Sequence, residues 1–306
     1  MNVKCIITDI DGNATTLTRC LSFTLRKDRY APTSTLTAEF LAEGDENPPC
    51  AVQFAIEGQT VFHGVPKNAS ISRTQGVYRL SFQAESYGAA LARNQLTPGV
   101  YTSVTLASLL TKYSLTGLTY EAISDPISYL YVEEDTPLWD AVVAFCYKYN
   151  GGYPFLKFPN CVTVGQGAGA AFTLPQRLIL SRGTGENLTH MVSRIDMADA
   201  DGSYGAFTAT NTAATARNIT RVQQIGFDLQ YPNDPQLALS QRIAYGNRGM
   251  AQRMVHYLGY MGEDLHDKMT VAENFTATVG ALVISGDGKG ISTELIFYYD
   301  SFDNIT

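Results

Sequence analysis

The sequence predicts a mainly β protein with an α+β insert, and three observations carry that prediction. Residues 2–86, and those after Ala171, alternate apolar and polar side chains at the period of half-buried strands. The stretch between them holds the clearest helical pattern of the chain, "DTPLWDAVVAFCYKYNGG". The composition, with 18 Tyr, 14 Phe and 26 Gly beside many Thr, combines strand formers with turn residues. At 306 residues, 45% hydrophobic and 17% charged, the chain is large enough for two or three domains and too apolar for disorder.

The elements follow in order. "CIITDIDGN" is an apolar strand running into turn residues. In "TRCLSFTLRKD", Leu21, Phe23 and Leu25 alternate with Ser22, Thr24 and Arg26, and "STLTAEFLAE" repeats the pattern with Leu36, Ala38 and Phe40. "CAVQFAIEGQTVFHG" reads as a hairpin turning at Glu57-Gly58-Gln59, and "GVYRLSFQAES" adds a strand through Leu80 and Phe82. From Tyr87 the pattern changes to two short helices in "YGAALARNQL" and "SVTLASLLTKY". The main helix is expected to be capped by Thr136, with Pro137 at its first position and Gly151 at its end. Its apolar stripe is Leu138, Val142, Phe145 and Tyr149, with the single tryptophan, Trp139, beside it and buried. A small hairpin turns at Pro159-Asn160, and "GQGAGA" reads as a linker. Strands return in "RLILSRG", "THMVSRIDMADADGSYGAFTAT" and "ITRVQQIGFDL". A long amphipathic helix is expected at about 234–258, with Leu239, Ile243, Met250, Met254 and Leu258 on one side and bends allowed at Gly246 and Gly249. The last element is a hairpin turning at residues 286–290. The expected division is therefore 1–86 β, 87–170 small and helix-rich α/β, and 171–306 β with the long helix.

Bulk charge narrows the function. A formal charge of −7 argues against tight binding to a phosphate backbone, though not against a surface past which nucleic acid slides. No signal-peptide pattern stands at the N-terminus, and the most apolar stretch, Leu138 to Tyr147, is too short for a membrane span. Five cysteines without a CxxC pair read as scattered core thiols of a reducing compartment, and four separated histidines supply no zinc pattern.

Each chemical motif has a plainer reading. Asp9-Ile10-Asp11-Gly12 resembles the first motif of the haloacid-dehalogenase phosphatases, where the first Asp accepts the phosphoryl group. That fold needs a crossover helix next, whereas "NATTLTRCLSFTLRKD" alternates like a strand, so a hairpin turn is expected. "ISGDGKG" echoes the same family's late acidic loop, but Gly290 and Ile291 stand where a further Asp belongs. It also lacks phosphate-loop spacing, and "GQGAGA" is a dinucleotide fingerprint by letters alone. Asp199 and Asp201 suggest a calcium loop, but Met197 and Thr208 occupy its end positions. No GxSxG or HExxH occurs. No catalytic, cofactor-binding or metal-binding residue is assigned.

The layout carries more information. "VQFAIEGQTVFHGVPKNASISRTQGVYRLSFQAESYGAALARNQ", with Phe62-His63-Gly64 in its second strand, resembles the late-control D family of phage-tail baseplate hubs. "TPLWDAVVAFCYKYNGG" and the closing "GKGISTELIF" fall where that family places a helix and a Gly-x-x-Thr-x-Leu strand. The resemblance implies two tube-type β-barrel domains linked by the small α/β domain. It further implies a non-enzymatic homotrimeric ring in the tail baseplate of a virion, assembled in the host cytoplasm. Such a ring joins a sixfold tail tube to a threefold spike, contacts the tape-measure protein and lets DNA pass. No enzymatic extension is expected after the last strand. A cell-wall or carbohydrate-active hydrolase, and a receptor- or carbohydrate-binding β-protein, are the alternatives left open.

Overall fold

The computed structural model describes residues 2–44, 49–165, 169–272 and 275–299. The N-terminal half is a run of antiparallel strands: β1 (Val3–Asp9), β2 (Ala14–Leu17), β3 (Cys20–Asp28), β4 (Thr35–Ala42), β5 (Pro49–Ile56), β6 (Gln59–Thr74) and β7 (Val77–Ser86). Their period-two patterns put Phe23, Leu25, Leu36, Phe40, Phe54, Leu80 and Phe82 in one core. Strand β6 crosses β7 closely at Gly64, where a Cβ would lie 2.0 Å from the carbonyl oxygen of Glu85. Only glycine fits there, which is the physical content of the Phe62-His63-Gly64 motif.

The middle region carries α1 (Ala89–Arg93), β8 (Gly99–Val104), α2 (Leu106–Leu110), β9 (Thr119–Tyr120), β10 (Ile127–Val132), α3 (Leu138–Asn150), β11 (Phe155–Lys157) and β12 (Cys161–Thr163). Its own core collects Leu106, Leu130, Val142 and Phe145, and Trp139 is 5% exposed. Gly151 ends α3 in the left-handed conformation as expected. Thr136 does not cap it. Pro137 stands at the cap, and the Thr136 hydroxyl donates instead to the Glu133 carbonyl. Ser103 and Val104, read as the start of the second short helix, end strand β8, which pairs with β10. Half of the expected linker, residues 166–168, lies outside the described residues.

Beyond it come β13 (Ala171–Leu174), β14 (Ile179–Glu186), β15 (Arg194–Met197), β16 (Phe207–Thr210), α4 (Thr212–Thr215), β17 (Val222–Ile225) and α5 (Pro235–Gly246). The chain then adds β18 (Ala251–Leu258), β19 (Lys268–Val271), β20 (Phe275–Thr278), β21 (Ala281–Asp287) and β22 (Gly290–Tyr298). The expected helix at 234–258 is thus corrected: it stops at Gly246, and its second half is strand β18. Gly249, at φ +66°, turns the chain out of the helix. Val255 and Tyr257 then point into the core between neighbours β14 and β22. The local pattern allowed either state, and two waiting partner strands decide it. Strands β15–β17 and helix α5 form a small unit with its own core of Val192, Ile195, Met197 and Leu239.

The two β halves share one sheet, ordered β14-β18-β22-β21-β3-β4-β7-β6-β5-β1-β2. Strand β21 of the C-terminal half pairs directly with β3, from Ala281↔Asp28 to Gly286↔Phe23. One core runs under both halves, joining Leu25 and Phe40 to Leu282, Leu295 and Phe297. The thiols are divided: Cys5 lies in this core, Cys146 in that of the middle region, and Cys50 is exposed. Among the described residues no helix is long and apolar enough to cross a membrane.

Candidate functional site

The acidic motifs resolve into turns. The Asp9 carboxylate accepts from the backbone N–H groups of Asp11 at 3.0 Å and Asn13 at 2.8 Å, and from the Asn13 amide at 3.1 Å. Strand β1 then pairs antiparallel with β2, so no crossover helix follows. Asp287 accepts from Lys289 N–H at 2.7 Å in the tight turn between β21 and β22. Asp199 accepts from the backbone of Asp201 and Ser203 in the same manner. All three are short carboxylates closing their own loops. Asp9→Asn is therefore expected to fold normally and to leave function intact, with no Mg²⁺-dependent phosphatase activity in either protein. A phosphate-ester turnover that disappeared in the variant would overturn the turn assignment.

The four histidines sit on separate elements. His63 lies edge-on to Tyr87 on β6, His190 follows β14, His256 is on β18, and His266 is buried against Phe155. Among the described residues no three metal-ligating side chains converge. Of the helix arginines, Arg242 on α5 pairs with Asp228 at 3.1 Å. Arg253 lies on β18 and packs over Phe275.

Two features replace these motifs. The first is an eight-strand antiparallel run, four strands from each half, with an open edge at both ends. At one end β14 pairs with β18 alone. At the other, β6 pairs with β5 only as far as Gly64, so Val65–Thr74 has β7 on one side and, among the described residues, no strand on the other. Both edges are solvent-exposed for most of their length. Opposite the core, the run presents hydroxyl side chains, among them Thr24 and Ser285 at 3.4 Å, Thr37, Ser70 and Ser81. Charged groups along it include Arg26, Glu39, Arg79 and Glu294, with Arg79 and Glu39 paired at 3.4 Å, and Glu85, paired with Lys67 at 2.9 Å.

The second is a buried polar junction in residues 259–268, which carried no motif. Lys27 of β3 donates to Asp264 at 2.6 Å and lies 3.5 Å above the Phe158 ring. The other Asp264 oxygen accepts from the Phe158 backbone at 2.6 Å. Asp267 accepts from Asp264 N–H at 2.7 Å and from Ala170 N–H at 2.8 Å. Glu263 accepts from the Tyr257 hydroxyl at 2.5 Å, and burial pushes its carboxyl above the usual range. One loop thereby ties the N-terminal strands, the middle region and the C-terminal strands together. Only spacing of Lys27 and Asp264 in three dimensions reveals it.

No protein-family model and no curated protein sequence matches the chain. Solved structures do. A tail protein from Neisseria meningitidis MC58 superposes with a TM-score of 0.73 at 12% identity, covering 99% of this chain and 98% of that one. The 43 kDa tail protein of prophage MuSo2 from Shewanella oneidensis gives 0.66 at 11% identity, over 96% and 97%. A component of the E. coli type VI secretion system, similar in structure to the T4 bacteriophage tail proteins gp27 and gp5, gives 0.56 at 12%, over 93% and 74%. The chain has the mainly β fold of these tail proteins.

Proposed function

We propose that the chain is the structural baseplate hub of a phage tail or phage-like injection particle. On this reading it is not an enzyme, and three copies close a ring around a channel. The observation that carries the reading is the eight-strand run with its two open edges. Because the run is antiparallel throughout and even in number, a second copy's β14 meets the free half of β6 in antiparallel register. The contact is heterologous, so repetition builds a ring where its rotation closes, and it covers both of these edges.

The two β halves would act as the two tube-type barrels per chain, roughly 1–86 and 171–306, linked by the 87–170 domain. Three such chains match a sixfold tail tube on one face and a threefold spike on the other. Tube or distal tail protein, spike or tail-tip protein and tape-measure protein are the partners this implies. DNA would pass over the hydroxyl-rich face, which is balanced in charge and so neither grips nor strongly repels phosphate.

Mass photometry alone and with tube and spike proteins is expected to show trimers, and negative-stain images a central channel. Ser72→Lys on β6 and Ser181→Lys on β14 place charge on the two edges and should each lower the trimer fraction without changing the thermal midpoint. A strict monomer in every mixture, or a compact dimer, would overturn the hub reading. Trimers indifferent to both lysines would overturn the edge pairing.

A further inference from the structure

Residues 187–250 leave and rejoin the large sheet at one point. Glu186, at the end of β14, pairs with Ala251, at the start of β18, and one further rung, Asn187 N–H to the Met250 carbonyl at 3.0 Å, follows it. Everything between is an insert with its own core around Val192, Ile195, Met197 and Leu239. Its sheet, β16-β15-β17, joins no other strand among the described residues. Both crossing segments are bound to the insert right up to that rung. The Arg221 guanidinium donates to the Thr189 and Met191 carbonyls, and Met250 N–H donates to the Asn247 carbonyl just past α5. The free joint is therefore the rung itself.

Contact with the middle region is of a different kind. A cleft of about 570 Å³ separates β10 and α3 from α5 and the segment 228–231, with Tyr131, Tyr147, Tyr153 and Tyr245 along it. Beside it Ala244 packs against the middle core, and Tyr245 stacks on Tyr153 with centroids 5.8 Å apart. Polar straps hold the two sides together. The Tyr129 hydroxyl donates to the Gln230 carbonyl at 2.6 Å. The Gln230 side chain accepts from Tyr131 N–H at 3.1 Å and donates to the Tyr131 carbonyl. At the joint, Arg217 of the insert donates to Glu186 at 2.6 and 3.2 Å. Hydrogen bonds beside a water-sized gap contribute little net each, so such a docking opens far more readily than a packed core.

We propose that residues 187–250 swing as one hinged unit about the Asn187–Met250 rung, with Gln230 as the clasp that holds it closed on the middle region. Swinging widens the tyrosine-lined cleft and leaves the large sheet and its open edges in place, so the inference does not rest on the ring.

Val100 on β8 and Val222 on β17 are 65% and 55% exposed, one on each side of the joint. Val100→Cys and Val222→Cys, in a Cys20→Ser/Cys50→Ser/Cys161→Ser background, carry nitroxides for pulsed distance measurement in the full chain. Gln230→Ala removes two of the strap hydrogen bonds and is expected to raise a second, longer distance population at least about tenfold, and Tyr129→Phe about fivefold. A control pair inside the insert, Tyr204→Cys with Val222→Cys, should keep one distance throughout. Trp139, 5% exposed and with its ring centroid 6.2 Å from that of Tyr153, should become at least about twofold more quenchable by acrylamide in Gln230→Ala. If Gln230→Ala does not fold, Tyr129→Phe carries the comparison, since it removes one hydroxyl and keeps the ring under Lys148. An unchanged distance between the two sides in the folded variants, the double variant Gln230→Ala/Arg217→Ala included, would overturn the hinge. So would broadening of the control pair, which would mean that the insert melts instead of swinging.

Discussion

Replacing Asp264 with alanine is expected to destabilise the protein by about 3–5 kcal/mol, the cost of leaving a buried charge without its partner. The Lys27 side chain is 2% exposed and that of Asp264 11%, so water cannot replace the missing carboxylate. The same change orphans the Phe158 N–H, which donates to the second oxygen. Burial lowers the Lys27 pKa and the Asp264 charge opposes that shift, so the variant's lysine should fold largely neutral. The double variant Lys27→Met/Asp264→Leu should recover much of the loss, since the ion pair specifies geometry more than it stabilises. Urea unfolding of the three proteins measures this. A loss below about 1 kcal/mol for the single change would mean that solvent reaches the pair.

Acid should act on the same loop through His266. Its ring stacks on Phe155 with centroids 3.8 Å apart. Burial, with the charges of Arg29 and Lys157, holds the imidazole down at about 2, against 6.5 for an ordinary histidine. Between those values the unfolded chain binds a proton that the folded chain refuses. This contribution is therefore intact above about pH 6.5 and lost progressively as pH falls toward 2, about 3 kcal/mol of it by pH 4. Glu263 and Asp267 act in the opposite sense, because their raised carboxyls let the folded state keep protons. The measurement is thus a difference between proteins: stability from pH 7 to 4 should fall more steeply in the native chain than in His266→Asn. Asparagine tolerates the positive φ of 66° at this position and does not titrate. Parallel pH profiles would show that His266 is protonated without unfolding.

The sequence by itself determined what local pattern can specify. Leu21, Phe23 and Leu25 alternate, Glu57-Gly58 and Gly288-Lys289 close two-residue turns, and α3 is bounded by Pro137 and Gly151 because its apolar stripe and end residues agree. It also pointed to a hairpin turn at Asp9, since the segment after it alternates like a strand, and β1 does pair antiparallel with β2. Tertiary structure decided the rest. Residues 251–258 carry a pattern compatible with either helix or strand, and β14 and β22 on their flanks make them a strand. Residues 259–268 carried no motif, yet Glu263, Asp264 and Asp267 are buried there, and Lys27, 237 positions before Asp264, supplies the opposite charge. The joining of the two β halves at β3 and β21, and the open edges of β6 and β14, leave no mark on neighbouring residues. Strand pairing and charge burial are satisfied by groups far apart in the chain, so their energies enter only once the chain has folded.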